Sequence, residues 1–290
     1  MTADGLDTPP RPSAATRPAR IGAHKLVDAL ADIGQDIRFH GQVIAAIPMA
    51  LRRYPKEVLK LLSEVSFGSG ALAVIGGTVG VMVGMSLFVG TVVGMQGYAA
   101  LDQIGTSTLN GFISAYFNTR EIAPLVAALA LSATVGAGFT AQLGAMRISE
   151  EIDALQVMGV GAIPFLVSTR VVAGFIAIIP LYVIGLLTSY AGSRIVTVFF
   201  RGQSAGTYDH YFNLFLPPVD ILLSFAKVLV FAVLIILIHC RLGYKASGGP
   251  AGVGTAVGHS VRRSIVTVAV LDLILSMAMW GTTTTVRIAG

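Results

Sequence analysis

Charge is what this sequence has least of. Only 12% of its 290 residues are Asp, Glu, Lys or Arg, against about 25% in soluble domains, and between Glu64 and Asp102 there is none. A water-facing surface cannot be assembled from that supply. With 54% hydrophobic residues and a mean hydropathy of +0.77, the chain reads as an integral membrane protein. Cysteine is almost as scarce. The single Cys240 excludes an internal disulfide framework and has no Cys or His neighbour at metal-ligand spacing, so it reads as a small apolar filler near a helix end. No Gly-x-x-x-x-Gly-Lys-Ser/Thr run occurs, so the chain lacks the loop that cradles nucleotide phosphates. No cofactor and no metal is expected in this chain. The net charge of +5 does not indicate nucleic acid, because the basic residues stand beside apolar segments and not along one polar face.

What is present organises into three stretches. Residues 1–20 hold Pro9, Pro10, Pro12 and Pro18 among Arg11, Arg17 and Arg20 without the apolar core of a signal peptide, and read as a disordered cytoplasmic tail. In residues 21–63, apolar positions from Leu26 to Leu51 recur at helical steps, with Asp28, Asp32, Asp36 and Arg38 on other faces. That pattern predicts an amphipathic helix, interrupted near Pro48, lying in the headgroup plane. Residues 64–290 form the membrane domain, with five spans.

The first span belongs to the charge-free stretch after Glu64, which is too long for a straight crossing of about 30 Å and so has to bend, tilt or re-enter. It carries Gly76, Gly80 and Gly84, then Gly90 and Gly94, at spacings that bring another backbone close or open toward a ligand. The other spans are read as Ile122–Met146, Val171 to about Ser193 with a kink at Pro180, Val219–Ile238, and Ser264–Val286. With the N-terminus cytoplasmic, 15 Lys and Arg fall on inner segments. The outer ones hold only Arg120, Arg194, Arg201 and Arg287. That asymmetry predicts a periplasmic C-terminus, with Trp280 near the outer interface. Lys227 and Asp272 stand well inside the fourth and fifth spans, where pairing across the helices is the expected arrangement.

Between the second and third spans lies Arg147-Ile-Ser-Glu150-Glu151-Ile-Asp153-Ala154-Leu155-Gln-Val-Met158-Gly159. Three acids in so short a run belong outside hydrocarbon, where each charge would cost about 2.5–3.5 kcal/mol. Ser149 is the expected N-cap, the acids complement the first-turn dipole, and Gly159 is the expected C-cap. A helix with an acidic start and an apolar flank suits a partner's groove, and a simple capped connector is the other reading. No His or other base lies nearby to make the carboxylates catalytic.

The run Glu150-Glu151-x-Asp153-Ala154-Leu155-x-x-Met158-Gly159, preceded by Gly144-Ala-Met-Arg147, resembles the signature of the MlaE/YrbE permeases. The likeness spans about residues 64–280. It includes Gly202-Gln-Ser-Ala-Gly206-Thr-Tyr208-Asp209-His210-Tyr211-Phe212 and Gly248-Gly-Pro250-x-Gly252-Val-Gly254, which are similar to the actinobacterial YrbE branch. The resemblance implies the membrane subunit of an Mce-type ABC lipid transporter in the plasma membrane. Its partners would be a second, related YrbE chain, a dimer of ATPases that binds the ATP, and a hexameric ring of Mce proteins. Lipid, with fatty acids or sterols favoured, would be imported through a cavity between the permeases. Glu150, Glu151, Asp153, Leu155 and Met158 would form the coupling helix seated on the ATPase.

Two loops need separate readings. Gly202-Gln-Ser204-Ala-Gly206 fits the Gly-x-Ser-x-Gly elbow of serine hydrolases, with Asp209 and His210 behind it, but Ile195–Phe200 continues a membrane helix where that elbow needs a strand. The alternative of a membrane lipid hydrolase therefore rests on Ser204 alone. The bland reading is an outer loop with Tyr208, Tyr211 and Phe212 at the interface. The stretch Gly248–Gly258 lacks dinucleotide spacing and is read as a cytoplasmic turn. An ion channel or secondary transporter would need more ionisable interruptions at mid-membrane than this chain has.

Overall fold

The computed structural model describes residues 17–67 and 77–281, and among them regular structure is helical throughout. Nine helices follow in order. α1 spans Arg17–Arg53 and α2 spans Pro55–Phe67. The five candidate spans are α3, Thr78–Asp102; α4, Ser107–Ile148; α6, Ile163–Phe200; α8, Pro218–Tyr244; and α9, Gly249–Trp280. Two short helices connect them: α5, Glu151–Val157, and α7, Ala205–Leu214. The all-α membrane architecture with five crossings is thus present, and each crossing is long enough for about 30 Å of hydrocarbon at about 1.5 Å per residue. Packing divides the chain after Gln42, within α1; every contact described below lies in the part from Val43 onward.

Successive crossings alternate in direction, which gives the bundle two ends. At one lie α5 and the turn before Gly249; at the other lies α7. Several boundaries differ from the sequence expectation. α1 continues through Pro48 to Arg53, and the break falls at Tyr54, just before Pro55. Pro180 lies inside the continuous α-helical part of α6, Thr169–Ile195. The stretch Gly248–Gly258 is not a turn, since α9 starts at Gly249 behind Gly248, whose φ of 87° only glycine adopts without strain. The helix that carries the fifth crossing therefore begins well before Ser264, and the crossing's expected end at Val286 lies outside the described residues, as do Arg287, Gly76 and residues 1–16 of the expected tail.

The closest helix pair is α3 against α6. On α3, Met82, Ser86, Gly90, Gly94 and Gly97 are buried at steps of three and four. A methyl on Gly90 would overlap the Ser189 carbonyl, and one on Gly94 would lie 2.6 Å from the Val196 side chain and 2.8 Å from the Ser193 carbonyl. α6 replies in kind: a methyl on Gly192 would come 2.6 Å from the Leu87 carbonyl. Both backbones are bare where they meet, so polar groups reach them directly. Ser193 Oγ donates to the Gly90 carbonyl at 2.6 Å and Asn110 Nδ2 to the Gly94 carbonyl at 3.0 Å. Asn118 Nδ2 then donates to Ser193 Oγ at 2.8 Å, and Asn110 Nδ2 also reaches Thr197 Oγ1 at 2.7 Å. Gly84 lies on the exposed side with no atom within 4 Å of an added methyl, and Gly80 is half-buried.

These contacts set an ordering for substitutions. Gly90→Leu should destabilise the purified protein by about 1–3 kcal/mol or more, because two backbones have to separate, whereas Gly84→Leu should leave its thermal unfolding in detergent near wild type. Equal melting shifts for the two would show that the α3–α6 contact is not the tight one.

Candidate functional site: a buried charge cluster and an acidic connector

α4 is not a uniform helix. It widens into π turns at Asn118–Ile122 and Ser132–Gly136, and such turns re-aim side chains and recur at functional sites. Each turn presents a polar group to α8 and α9. The first presents Arg120 and Glu121. Arg120 is 4% exposed and its Nη2 lies 2.7 Å from Asp220 Oδ2, while Trp280 Nε1 donates to Asp220 Oδ1 at 2.9 Å. The Arg120 guanidinium also sits 4.1 Å from the Tyr116 ring centroid.

Next to this pair stands Lys227, with no exposed surface. Its Nζ lies 2.6 Å from Asp272 Oδ1 and 3.1 Å from Glu121 Oε2, and donates to Ser276 Oγ at 2.7 Å and to the Arg120 carbonyl at 2.9 Å. Ser276 Oγ in turn donates to Glu121 Oε1 at 2.8 Å. The cluster thus brings three carboxyl groups and two cations together across α4, α8 and α9. The sequence reading brought out Lys227 and Asp272 only. Glu121, Asp220 and Ser276 were missed, and Arg120, placed among the outer-loop charges, is corrected to a residue inside the bundle. A signal existed: Asp220 and Lys227 are seven apart and Asp272, Ser276 and Trp280 are four apart, each set on one helix face. Arg170 and Arg241, counted as inner-surface charges, are likewise only 5% and 7% exposed; Arg170 donates to the Leu166 carbonyl and to Gln142.

The second π turn presents Ser132 and the bare Gly136. The His239 ring lies so close to Gly136 that an added methyl would come within 2.7 Å of it. His239 Nδ1 is 2.9 Å from Thr140 Oγ1, its Nε2 is 3.2 Å from Ser132 Oγ, and Ser132 Oγ is 2.6 Å from Ser264 Oγ. All four are buried. Cys240, next in the chain, is fully buried, as its filler reading required.

At the α5 end, the acidic connector departs from the expected capping. Ser149 closes α4, its hydroxyl donating to the Ala145 carbonyl, and Glu150 is the N-cap with a left-handed φ of 61°. A non-glycine residue in that region marks a sharp, constrained turn. Glu151 Oε1 accepts from Ser149 Oγ at 2.9 Å, and Asp153 Oδ1 is 2.7 Å from Arg147 Nη1. The far end is a Schellman closure: Gly159, φ 73°, donates to the Gln156 carbonyl and Val160 to the Leu155 carbonyl. Ile152, which the sequence motif does not single out, is the anchor at 0% exposed, whereas Leu155 is half-buried and Val157 and Met158 are 89% and 67% exposed. The helix is therefore pinned by one apolar side chain and displays acids and two bare hydrophobes outward.

Around Ser204 the geometry is not that of a hydrolase elbow. The chain arrives from the π turn Val196–Phe200 and Ser204 is the N-cap of α7. Asp209 is held by Arg194 at 2.8 and 2.9 Å, which pulls its carboxyl below the usual range, and His210 packs edge-on against Tyr211. Tyr208, expected at the interface, is 1% exposed, with Gly111 packed against its backbone.

The charge cluster gives a direct expectation. Lys227→Met leaves Glu121 and Asp272 facing each other without their cation and should cost about 3–5 kcal/mol of stability. Adding Asp272→Asn to that variant should recover part of the loss in detergent unfolding. Additive losses in the double variant would refute the coupling.

Residues 67–278 match the family described as Permease MlaE. Among curated relatives, the chain is 30% identical over 196 residues to the "Intermembrane phospholipid transport system permease protein MlaE" of Haemophilus influenzae, covering 67% of this chain and 75% of that one. It is 28% identical over 191 residues to a "Probable ABC transporter permease protein" of Rickettsia bellii, covering 66% and 74%. It is 29% identical over 199 residues to "Protein TRIGALACTOSYLDIACYLGLYCEROL 1, chloroplastic" of Arabidopsis thaliana, covering 69% and 57%. The matched stretch takes in all five crossings, the charge cluster up to Ser276 and the acidic connector, and the chain belongs to the MlaE permease family.

Proposed function

We propose that this chain is the membrane permease of an ABC-type lipid transporter in the plasma membrane. In this reading it pairs with a second, related YrbE-type permease, is driven by a separate ATPase dimer that binds the ATP, and stands below a hexameric ring of Mce proteins. The observation that carries the reading is α5. Of its side chains only Ile152 is buried, and it presents Glu150, Glu151, Asp153, Val157 and Met158 at one end of the bundle, between the two crossings with the most buried surface. Charge at the rim of such a contact sets orientation and encounter, and the exposed hydrophobes supply the burial. The constrained Glu150 and the Gly159 closure make the helix a rigid lever joined to α4 and α6 at both ends. Force applied there reaches the polar layers of α4.

The cargo is read as fatty acid or a related lipid, from the likeness to the actinobacterial branch. The Haemophilus relative carries phospholipid in its name, so the cargo needs its own measurement. Uptake of labelled lipids by the reconstituted complex should favour single-chain fatty acids or sterols; uptake of a two-chain phospholipid alone would sink that part. The hydrolase alternative has its own readout, since a fluorophosphonate label that disappears in Ser204→Ala would revive it.

For the coupling role, Glu151→Lys should weaken ATPase co-purification and separate hydrolysis from lipid uptake. Ile152→Ala should do so too, at a folding cost of about 2–5 kcal/mol for the lost core side chain. Wild-type ATPase stoichiometry and uptake in Glu151→Lys would show that α5 is a mere connector.

A further inference from the structure

A cleft of about 400 Å³ opens between α8 and α9 toward the α5 end, lined by Leu242 of α8 and by His259, Arg262, Arg263, Val266 and Thr267 of α9. Among the described residues, its wall holds two guanidinium groups and an imidazole. His259, Arg262, Arg263 and Val266 stand at i, i+3, i+4 and i+7, so they share one exposed face of the helix.

The depth of this face follows from the other end of α9. Trp280 closes the helix there, bonded to Asp220, at the level where indoles sit in membrane interfaces. From residue 280 back to 262 is about 27 Å at about 1.5 Å per residue, close to the hydrocarbon thickness of about 30 Å. The two arginines therefore lie at the opposite interface, at headgroup depth. From the cleft, the same face continues into the hydrocarbon as Val266, Val270, Leu273, Ile274 and Met277, each between 53% and 64% exposed.

We propose that this cleft binds the phosphate headgroup of an anionic membrane phospholipid, with the acyl chains lying along the Val266–Met277 strip. Planar guanidinium forks match phosphate oxygens, and basic pockets between membrane helices hold anionic headgroups. Free phosphate would answer the arginines but leave the apolar strip uncovered. A lipid covers both, which is why the site is assigned to lipid. The site uses no residue of α5, so it stands or falls separately from the coupling role.

The full chain in neutral detergent, titrated with dioleoylphosphatidylglycerol or dioleoylphosphatidylcholine and read by native mass spectrometry, tests this. Wild type should retain phosphatidylglycerol preferentially. R262Q/R263Q should weaken that binding on the order of thirtyfold, from about fivefold per arginine, while R262K/R263K keeps most of it and inorganic phosphate fails to displace it. Melting temperature and ATPase co-purification of the glutamine variant should stay at wild type, and if that variant fails to fold, V266E, which blocks the strip next to the cleft, replaces it with the same expected loss. Unchanged phosphatidylglycerol binding in the folded variant, equal retention of the two lipids, or displacement by inorganic phosphate would each overturn the site. So would Val270→Cys chains that crosslink to one another in nanodiscs while retaining no phosphatidylglycerol, since a second copy would then own the strip.

Discussion

An ammonium group with no exposed surface, inside a helix as apolar as α8, has to find its counter-charges within the protein. Lys227 does so by drawing Glu121 from α4 and Asp272 and Ser276 from α9 onto itself, and that requirement fixes how three of the five crossings stand relative to one another. An unpaired charge buried at that depth costs several kcal/mol. The neighbouring Arg120–Asp220 pair and the Trp280 indole extend the same arrangement to the end of the bundle. Removal of any one member leaves the others uncompensated, which is why the cluster behaves as a unit.

The remaining crossings are held by different means. α3 has no charge before its last residue, Asp102, so it meets α6 through the absence of side chains: Gly90, Gly94 and Gly192 let carbonyls come close enough for Ser193 and Asn110 to bond them. In lipid the hydrophobic effect does not press helices together, so close packing and hydrogen bonds carry the association. α6 also packs on α8, where the Tyr182 hydroxyl donates to Ser224 Oγ at 2.9 Å.

Much of this was legible in the sequence. Five crossings followed from apolar runs, and the acidic run stood out because charge is rare in the chain. Lys227 and Asp272 were visible for the same reason. What escaped was whatever depends on register across helices. Glu121 and Arg120 sit at the start of an apolar run and look like surface charges until a π turn carries them inward. Ile152 is invisible among many isoleucines, because its importance lies in being the one buried side chain of a short helix. Gly84 has the spacing of Gly90 and Gly94 but falls on an exposed side of α3, since an offset of six residues turns it about 120° away from Gly90. The glycine-rich start of α9 read as a turn, yet with the proline at its first turn it begins a helix.

Which crossings can move during transport follows from how each is held. α4 and α6 are joined by the rigid α5 lever and carry the most buried surface, so they form the frame. α3 is bound to that frame along both halves, Met82 and Ser86 lying against Gly185, and Gly90, Gly94 and Gly97 against Ser189, Val196 and Asn110. α9 is the least buried crossing and is held by its ion pair near one end and by the Ser260 and Ser264 hydroxyls in its first half. Hydroxyl contacts exchange partners at low cost, whereas the charged contact does not. In the coupling role proposed for α5, a push delivered there would therefore shift α9 about its ion-pair anchor near the α7 end, opening or closing the bundle at the α5 end first.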